Sequence, residues 1–200
     1  MPTEQTDEQL LIRALDGNED AFTALYRRRQ GSVYRFALHM SGSVQIAEEA
    51  TQDVFMFLLQ RGRDFDPSRG AVGAYLFGVA RNYVRRAMEK SHSDAVMTTP
   101  AEDDDPLLVT NSDPVDAIAR SQTTAAVRRA ILSLPEHYRE AVVLCDLQEL
   151  SYADAAVALG CAIGTIRSRL HRGHEMLVRK LQSSGPALEG FPGNAARCLS

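Results

Sequence analysis

Six side chains between Thr165 and Arg172 have the types and spacing most suited to chemistry: Thr165, Arg167, Ser168, Arg169, His171 and Arg172. Guanidinium forks donate in pairs to guanine edges and to phosphate oxygens, and hydroxyls add single phosphate bonds. From Gly164 to Lys180 there are five Arg or Lys against one Glu, a basic stripe of the kind that follows a nucleic-acid backbone. A solvated face of an amphipathic helix would carry the same residue types, so the neighbouring elements must decide between the two readings. Catalysis has less support. His171 and His174 lie three apart without the intervening Glu of a zinc-protease helix, Cys145-Asp146 has no His nearby in sequence, and no glycine-rich phosphate loop occurs. The expectation is therefore a non-enzyme with no catalytic residue, no metal and no cofactor.

The elements that position the arginines are legible. Ser151, followed three residues later by Asp154, resembles a capping box and places a helix N-terminus at Tyr152. Gly160 ends that helix because glycine enters the left-handed region without steric cost. After the turn Cys161 to Gly164, Thr165 is the expected N-cap of a second helix. At about 100° per residue, Ile166, Leu170, Leu177 and Leu181 share one side of it. Thr165, Ser168, Arg172 and Arg179 fall opposite, with Arg169 and His171 on the flanks. Arg167 is expected nearer the apolar stripe, reaching sideways to a phosphate. Helix, glycine turn and second helix in this span form a helix-turn-helix pattern, whose second helix enters the DNA major groove.

A second basic helix stands upstream. Arg81, Arg85, Arg86 and Lys90 recur along it, preceded by a polar loop from Arg61 to Gly70 that contains Asp66-Pro67-Ser68-Arg69-Gly70. Such turn chemistry beside basic residues can accept unstacked bases. Helix-period stripes cover Asp7 to Leu15, Ala21 to Met40, Val44 to Leu59 and Val72 to Met88, with no period-two alternation anywhere. The fold is expected to be all-α, with two small helical domains joined by a flexible acidic linker. Residues 1–90 form the first domain, 91–116 the linker and 117–182 the second domain, with Pro135 at the first position of a helix. Residues 183–200, rich in Gly, Pro and Ala, are expected to be a disordered tail.

Composition conceals this division. Net charge is -4, yet Ser91 to Thr123 holds seven acidic residues and one basic, against the basic stripe downstream. Three cysteines, Cys145, Cys161 and Cys198, lack CxxC spacing and suit reduced thiols in a cytoplasmic protein. No apolar signal core or run of transmembrane length is present, so no membrane insertion is expected.

With these motifs in place, a family resemblance becomes specific. Leu134-Pro135-Glu136, Tyr138-Arg139-Glu140, Leu150-Ser151-Tyr152 and the run Gly164 to Arg172 resemble region 4 of bacterial sigma factors of the extracytoplasmic-function group. The runs Ala47 to Phe55 and Tyr75 to Asn82 resemble their region 2. The family usually has Trp where Tyr75 stands and often Pro where Ala162 stands. The resemblance implies a subunit that joins core RNA polymerase and directs it to promoters, in a stress or environmental-response regulon. Glu49, Gln52, Asp53 and a partly core Phe55 would dock on the beta-prime clamp. Phe65, Ser68, Arg69, Tyr75, Arg81, Asn82, Arg85 and Arg86 would hold the minus-ten element of promoter DNA, although core packing alone would account for Tyr75 and Tyr83. Thr165, Arg167, Ser168, Arg169, His171 and Arg172 would bind the minus-thirty-five element, in a region that also touches the beta flap. An anti-sigma factor, common in the group, is a further candidate partner. The two promoter-reading surfaces are expected to be held apart by the acidic tether. A two-domain regulator that binds duplex DNA without polymerase would explain the C-terminal block but not the segment Gln52 to Phe55. A purely protein-binding adaptor would lack salt-dependent DNA binding.

Overall fold

The computed structural model describes residues 5–94 and 114–183. Among the described residues there are eight α-helices and no strand: α1 (Asp7–Leu15), α2 (Glu19–Ser41), α3 (Val44–Arg61), α4 (Val72–Asp94), α5 (Pro114–Leu132), α6 (Glu136–Val142), α7 (Tyr152–Leu159) and α8 (Ile163–Ser183). Their starts follow from capping residues. Thr6 and Gln9 exchange side-chain-to-backbone bonds at α1, Asn18 Oδ1 accepts from the Ala21 amide at 2.8 Å, and Ser43 Oγ accepts from Ile46 at 3.3 Å. Each satisfies an amide that no helical carbonyl reaches.

Helices α1 to α4 share a core in which Leu25, Phe36, Val54, Leu58 and Leu76 are buried, and the Phe36 and Phe77 rings meet at 5.4 Å. Two polar devices fix α1 against this bundle. Asp7 is buried and paired with Arg28 at 2.8 Å and with Arg29. Glu8 Oε1 accepts from the Val72 amide at 3.2 Å, so a carboxylate of α1 caps the N-terminus of α4. The intervening polar loop folds as two short 3-10 turns, Gly62–Asp64 and Pro67–Arg69.

The C-terminal helices pack around Leu134, Val142, Leu144, Ala155 and Ile166. Pro135 precedes α6 as its N-cap, one position earlier than its sequence suggested. Beyond α6 the chain continues as a π-helical turn, Val143–Leu147. Ser151 Oγ accepts from the Asp154 amide at 3.0 Å to start α7, and Gly160 (φ 61°) ends it. Expected and observed agree there. The expected cap at Thr165 differs, because α8 begins earlier and the Ala162 carbonyl receives the Thr165 and Ile166 amides.

The two helical groups are in contact, contrary to the expectation that a tether holds them apart. Helix α7 lies on α4, and α5 and α6 lie beside the C-terminal half of α2. Arg139 of α6 donates to the Met40 carbonyl at 2.5 Å as well as to the carbonyls of Leu132 and Leu134. The linker was expected over 91–116, but α4 runs on to Asp94 and α5 begins at Pro114. Residues 95–113, and the tail from 184, lie outside the described residues.

Candidate nucleic-acid interface

On α8 the buried line runs through Ile166, Leu170 and Gly173. Gly173 sets this line: a Cβ there would stand 2.8 Å from Val142 Cγ2, so only glycine lets α8 sit this close to α6. The buried face is consequently centred on Gly173 rather than on Leu177 and Leu181. That rotation reverses the expected positions of two arginines. Arg167 is exposed, whereas Arg169 is turned inward, with Nη1 3.9 Å from Glu140 Oε2. Ser168, His171 and Arg172 are exposed on the outer face and Thr165 is half-buried. Arg172 Nη1 reaches the Tyr138 hydroxyl at 3.5 Å, and His171 faces Glu175 at 3.5 Å. Ser168 Oγ donates to the Thr165 carbonyl at 2.9 Å, which holds the hydroxyl along the helix. The outer face offers charged donors on one convex helix, the shape that enters a major groove.

A cleft of about 410 Å³ lies between α4, the polar loop and α7. Phe65, Arg69, Tyr75, Arg81 and Asn82 line one side, and Val157 to Gly160 the other. Tyr75 is half-buried, with Phe65 at 5.4 Å and Phe57 at 6.5 Å, and Tyr83 extends the row at 6.4 Å from Phe57. Burial, with Asp64 nearby, pushes the Tyr75 phenol above its ordinary value, so it remains a neutral donor. Half-buried rings in a row provide faces on which bases can stack. Ser68 is held by Asp66, whose Oδ1 accepts from both its amide (2.9 Å) and its hydroxyl (2.7 Å). Arg85 and Arg86 are exposed further along α4, Arg85 lying 3.6 Å from Glu89. Arg81 points elsewhere: its Nε donates to Glu140 on α6.

A third surface lies on α3. Glu49, Gln52 and Asp53 are exposed on its outer face. Phe55, expected to be partly core, is 3% exposed and edge-on to Tyr26 at 4.8 Å. It supports the surface from beneath. A groove of about 710 Å³ between α2 and α3 is lined by Tyr26, Gln30, Gln52, Met56 and Leu59 among others. Met56 and Leu59 are 48% and 47% exposed. Sequence reasoning missed both, although Met56 stands one turn beyond Gln52 on an otherwise polar face. It also missed Glu140, 1% exposed, whose register one turn before Val143 and Leu144 marks an inward position.

Residues 25–93 match Sigma-70 region 2 and residues 124–177 match Sigma-70, region 4. The ECF RNA polymerase sigma factor SigM of Mycobacterium tuberculosis is 35% identical over 89% of this chain and 86% of its own. The chain belongs to the extracytoplasmic-function sigma factors. SigE of Mycolicibacterium smegmatis, another member, is 30% identical over 87% of this sigma factor and 68% of its own length. Among solved structures, CnrH in complex with the cytosolic domain of CnrY superposes with a TM-score of 0.69, at 22% identity, over 90% of this chain and all (100%) of that one. RpoE in complex with the anti-sigma factor NepR from Bartonella quintana gives 0.65 at 25% identity, over 82% of this chain and 98% of that one.

Two further observations bear on chemistry. Burial and the neighbouring Asp146 push the Cys145 thiol up to about 12, far from a reactive thiolate. Among the described residues no cluster of His, Cys, Asp or Glu could hold a metal, and no helix is long and apolar enough to cross a membrane.

Proposed function

We propose that this sigma factor joins core RNA polymerase as its promoter-specificity subunit, acting in the cytoplasm and contributing no catalytic step. One observation carries the reading: a groove with exposed apolar side chains on α3, an aromatic-lined cleft beside α4 and a basic convex helix occur in one chain, in units that match regions 2 and 4. The outer face of α3, with Glu49, Gln52, Asp53, Met56 and Leu59, docks on the beta-prime clamp. Apolar Met56 and Leu59 supply the desolvating centre, and the carboxylates and Gln52 form its polar rim. The aromatic row Phe65, Tyr75 with Arg69 and Asn82 takes unstacked bases of the minus-ten strand, while Arg85 and Arg86 follow its phosphates. Arg167, Ser168, His171 and Arg172 read the minus-thirty-five duplex, and the same C-terminal unit meets the beta flap. An anti-sigma factor that covers these surfaces is the natural regulatory partner.

The deciding experiment is run-off transcription from a promoter library with purified core polymerase, alongside native-gel binding to the core. The chain is expected to bind core and to select a bipartite promoter, and Asp53→Ala is expected to weaken core binding while leaving duplex binding by the C-terminal unit intact. Failure to bind core polymerase would overturn the reading in favour of an independent duplex-binding regulator.

A further inference from the structure

One buried carboxylate joins the two units. Glu140 is 1% exposed on α6, and it receives Arg81 from α4 on one oxygen while Arg169 of α8 stands 3.9 Å from the other. Its first contact crosses between the units and its second lies within the C-terminal one. Around it the units are closed on each other. The Ala158 backbone lies so near Gly78 of α4 that a Cβ at 78 would sit 3.2 Å from the Ala158 carbonyl oxygen. Val157 covers Gly70 of the polar loop in the same way, at 3.2 Å from a Cβ placed there. The cleft that holds Tyr75 and Asn82 thus has the first helix of the helix-turn-helix as its outer wall.

We infer that Glu140 is an internal latch that keeps the free sigma factor closed, holding one arginine of each DNA-facing unit away from DNA. A buried carboxylate requires cationic and hydrogen-bonding partners, since an unpaired charge is poorly tolerated out of water. Arg169 supplies one partner from within the C-terminal unit, and Arg81 supplies the second only while α6 and α7 rest on α4. Promoter phosphates are the competing anion for Arg81. When the units separate, Arg81 exchanges a protein carboxylate for the DNA backbone, and the wall formed by Val157 to Gly160 leaves the cleft. DNA and Glu140 therefore compete for one side chain, and opening is linked to promoter engagement. The assignment of Arg81 to DNA extends the promoter-reading proposal above, in which Arg85 and Arg86 of the same helix follow the phosphates, whereas the closure itself stands on the contacts.

Small-angle scattering of the free chain of 200 residues tests the latch. Glu140→Gln and Arg81→Gln should each increase the radius of gyration, and the double variant should expand no more than the larger single effect, because both remove one contact. Glu140→Gln should also tighten binding of the free chain to a mixed-sequence DNA duplex by about fivefold or more. If circular dichroism shows that Glu140→Gln costs helix by disturbing Arg169, Arg81→Gln decides, since it touches α6 only across the interface. Unchanged dimensions in Arg81→Gln would overturn the inference. Core-polymerase binding by the wild-type chain, measured in parallel, reports separately on the sigma-factor reading.

Discussion

The two proposed promoter-reading surfaces are built in opposite ways. On α8 the surface is convex: Arg167, Ser168, His171 and Arg172 stand outside a single helix, backed by Ile166, Leu170 and Gly173. Beside α4 it is concave: Phe57, Phe65 and Tyr75 are half-buried around a cleft of about 410 Å³, with Arg69 and Asn82 on its lining. A duplex offers base edges in a groove that a convex helix can enter. Unstacked bases instead need walls and ring faces. The convex surface can be altered one contact at a time, whereas the concave one inherits its shape from the core beneath it.

The largest effect should come from that core. Phe36 is fully buried and packs on Phe77 of α4. Phe36→Ala is expected to lower stability by about 3–5 kcal/mol through lost burial and a cavity. Urea unfolding followed by circular dichroism measures this, and binding of single-stranded minus-ten DNA by holoenzyme should fall with it. If the C-terminal unit unfolds in the same transition, the two surfaces share one cooperative core and the contrast between them is structural rather than energetic.

A paired substitution sharpens the comparison at the level of single side chains. Arg172→Ala should weaken closed-complex binding by about 1–3 kcal/mol and flatten its salt dependence. Tyr75→Ala should leave that complex nearly unchanged and reduce strand opening by a similar amount, about 1–3 kcal/mol for one lost stacking face. Permanganate reactivity of unpaired thymines separates opening from binding. Equal effects of both variants on the closed complex would remove the distinction between duplex and single-strand readers.

The helices, and both ends of α7, were legible because capping and periodicity are local, whereas the helix starts read at Thr165 and Pro135 were displaced by the neighbouring turns. Ser151 with Asp154, and Gly160 after Leu159, mark α7 to the residue. The orientation of α8 was not, because its buried face depends on α6: Gly173 is seated against Val142 and Tyr138, a contact no window along α8 contains. The same distance in sequence hid the closure of the two units. Arg81 and Glu140 are 59 residues apart, and each reads alone as an ordinary helix charge. The groove on α3 was half legible, since Gln52 belongs to the run Ala47 to Phe55 while Met56 and Leu59 complete it only once α2 lies alongside.

The smallest effect concerns the C-terminal unit alone, where the convex helix is pinned to the π-helical turn. His174 Nε2 lies 2.6 Å from Asp146 Oδ2, both side chains about half exposed. The hydrogen bond to Asp146 holds the His174 imidazole above its ordinary value, against the opposing effect of burial. A raised folded-state value means that the folded unit binds the proton more tightly than the unfolded chain does. The resulting stability is fully present below the unfolded value of about 6.5 and is lost as pH rises through the folded one. Exposure limits it to about 0–1 kcal/mol. The wild-type melting temperature should therefore fall slightly between roughly pH 5.5 and pH 8.5 relative to His174→Asn, which lacks the titrating group. Parallel melting curves for the two proteins across that window would show instead that the pair contributes nothing to anchoring α8, leaving the seat at Gly173 as the contact that orients the convex surface.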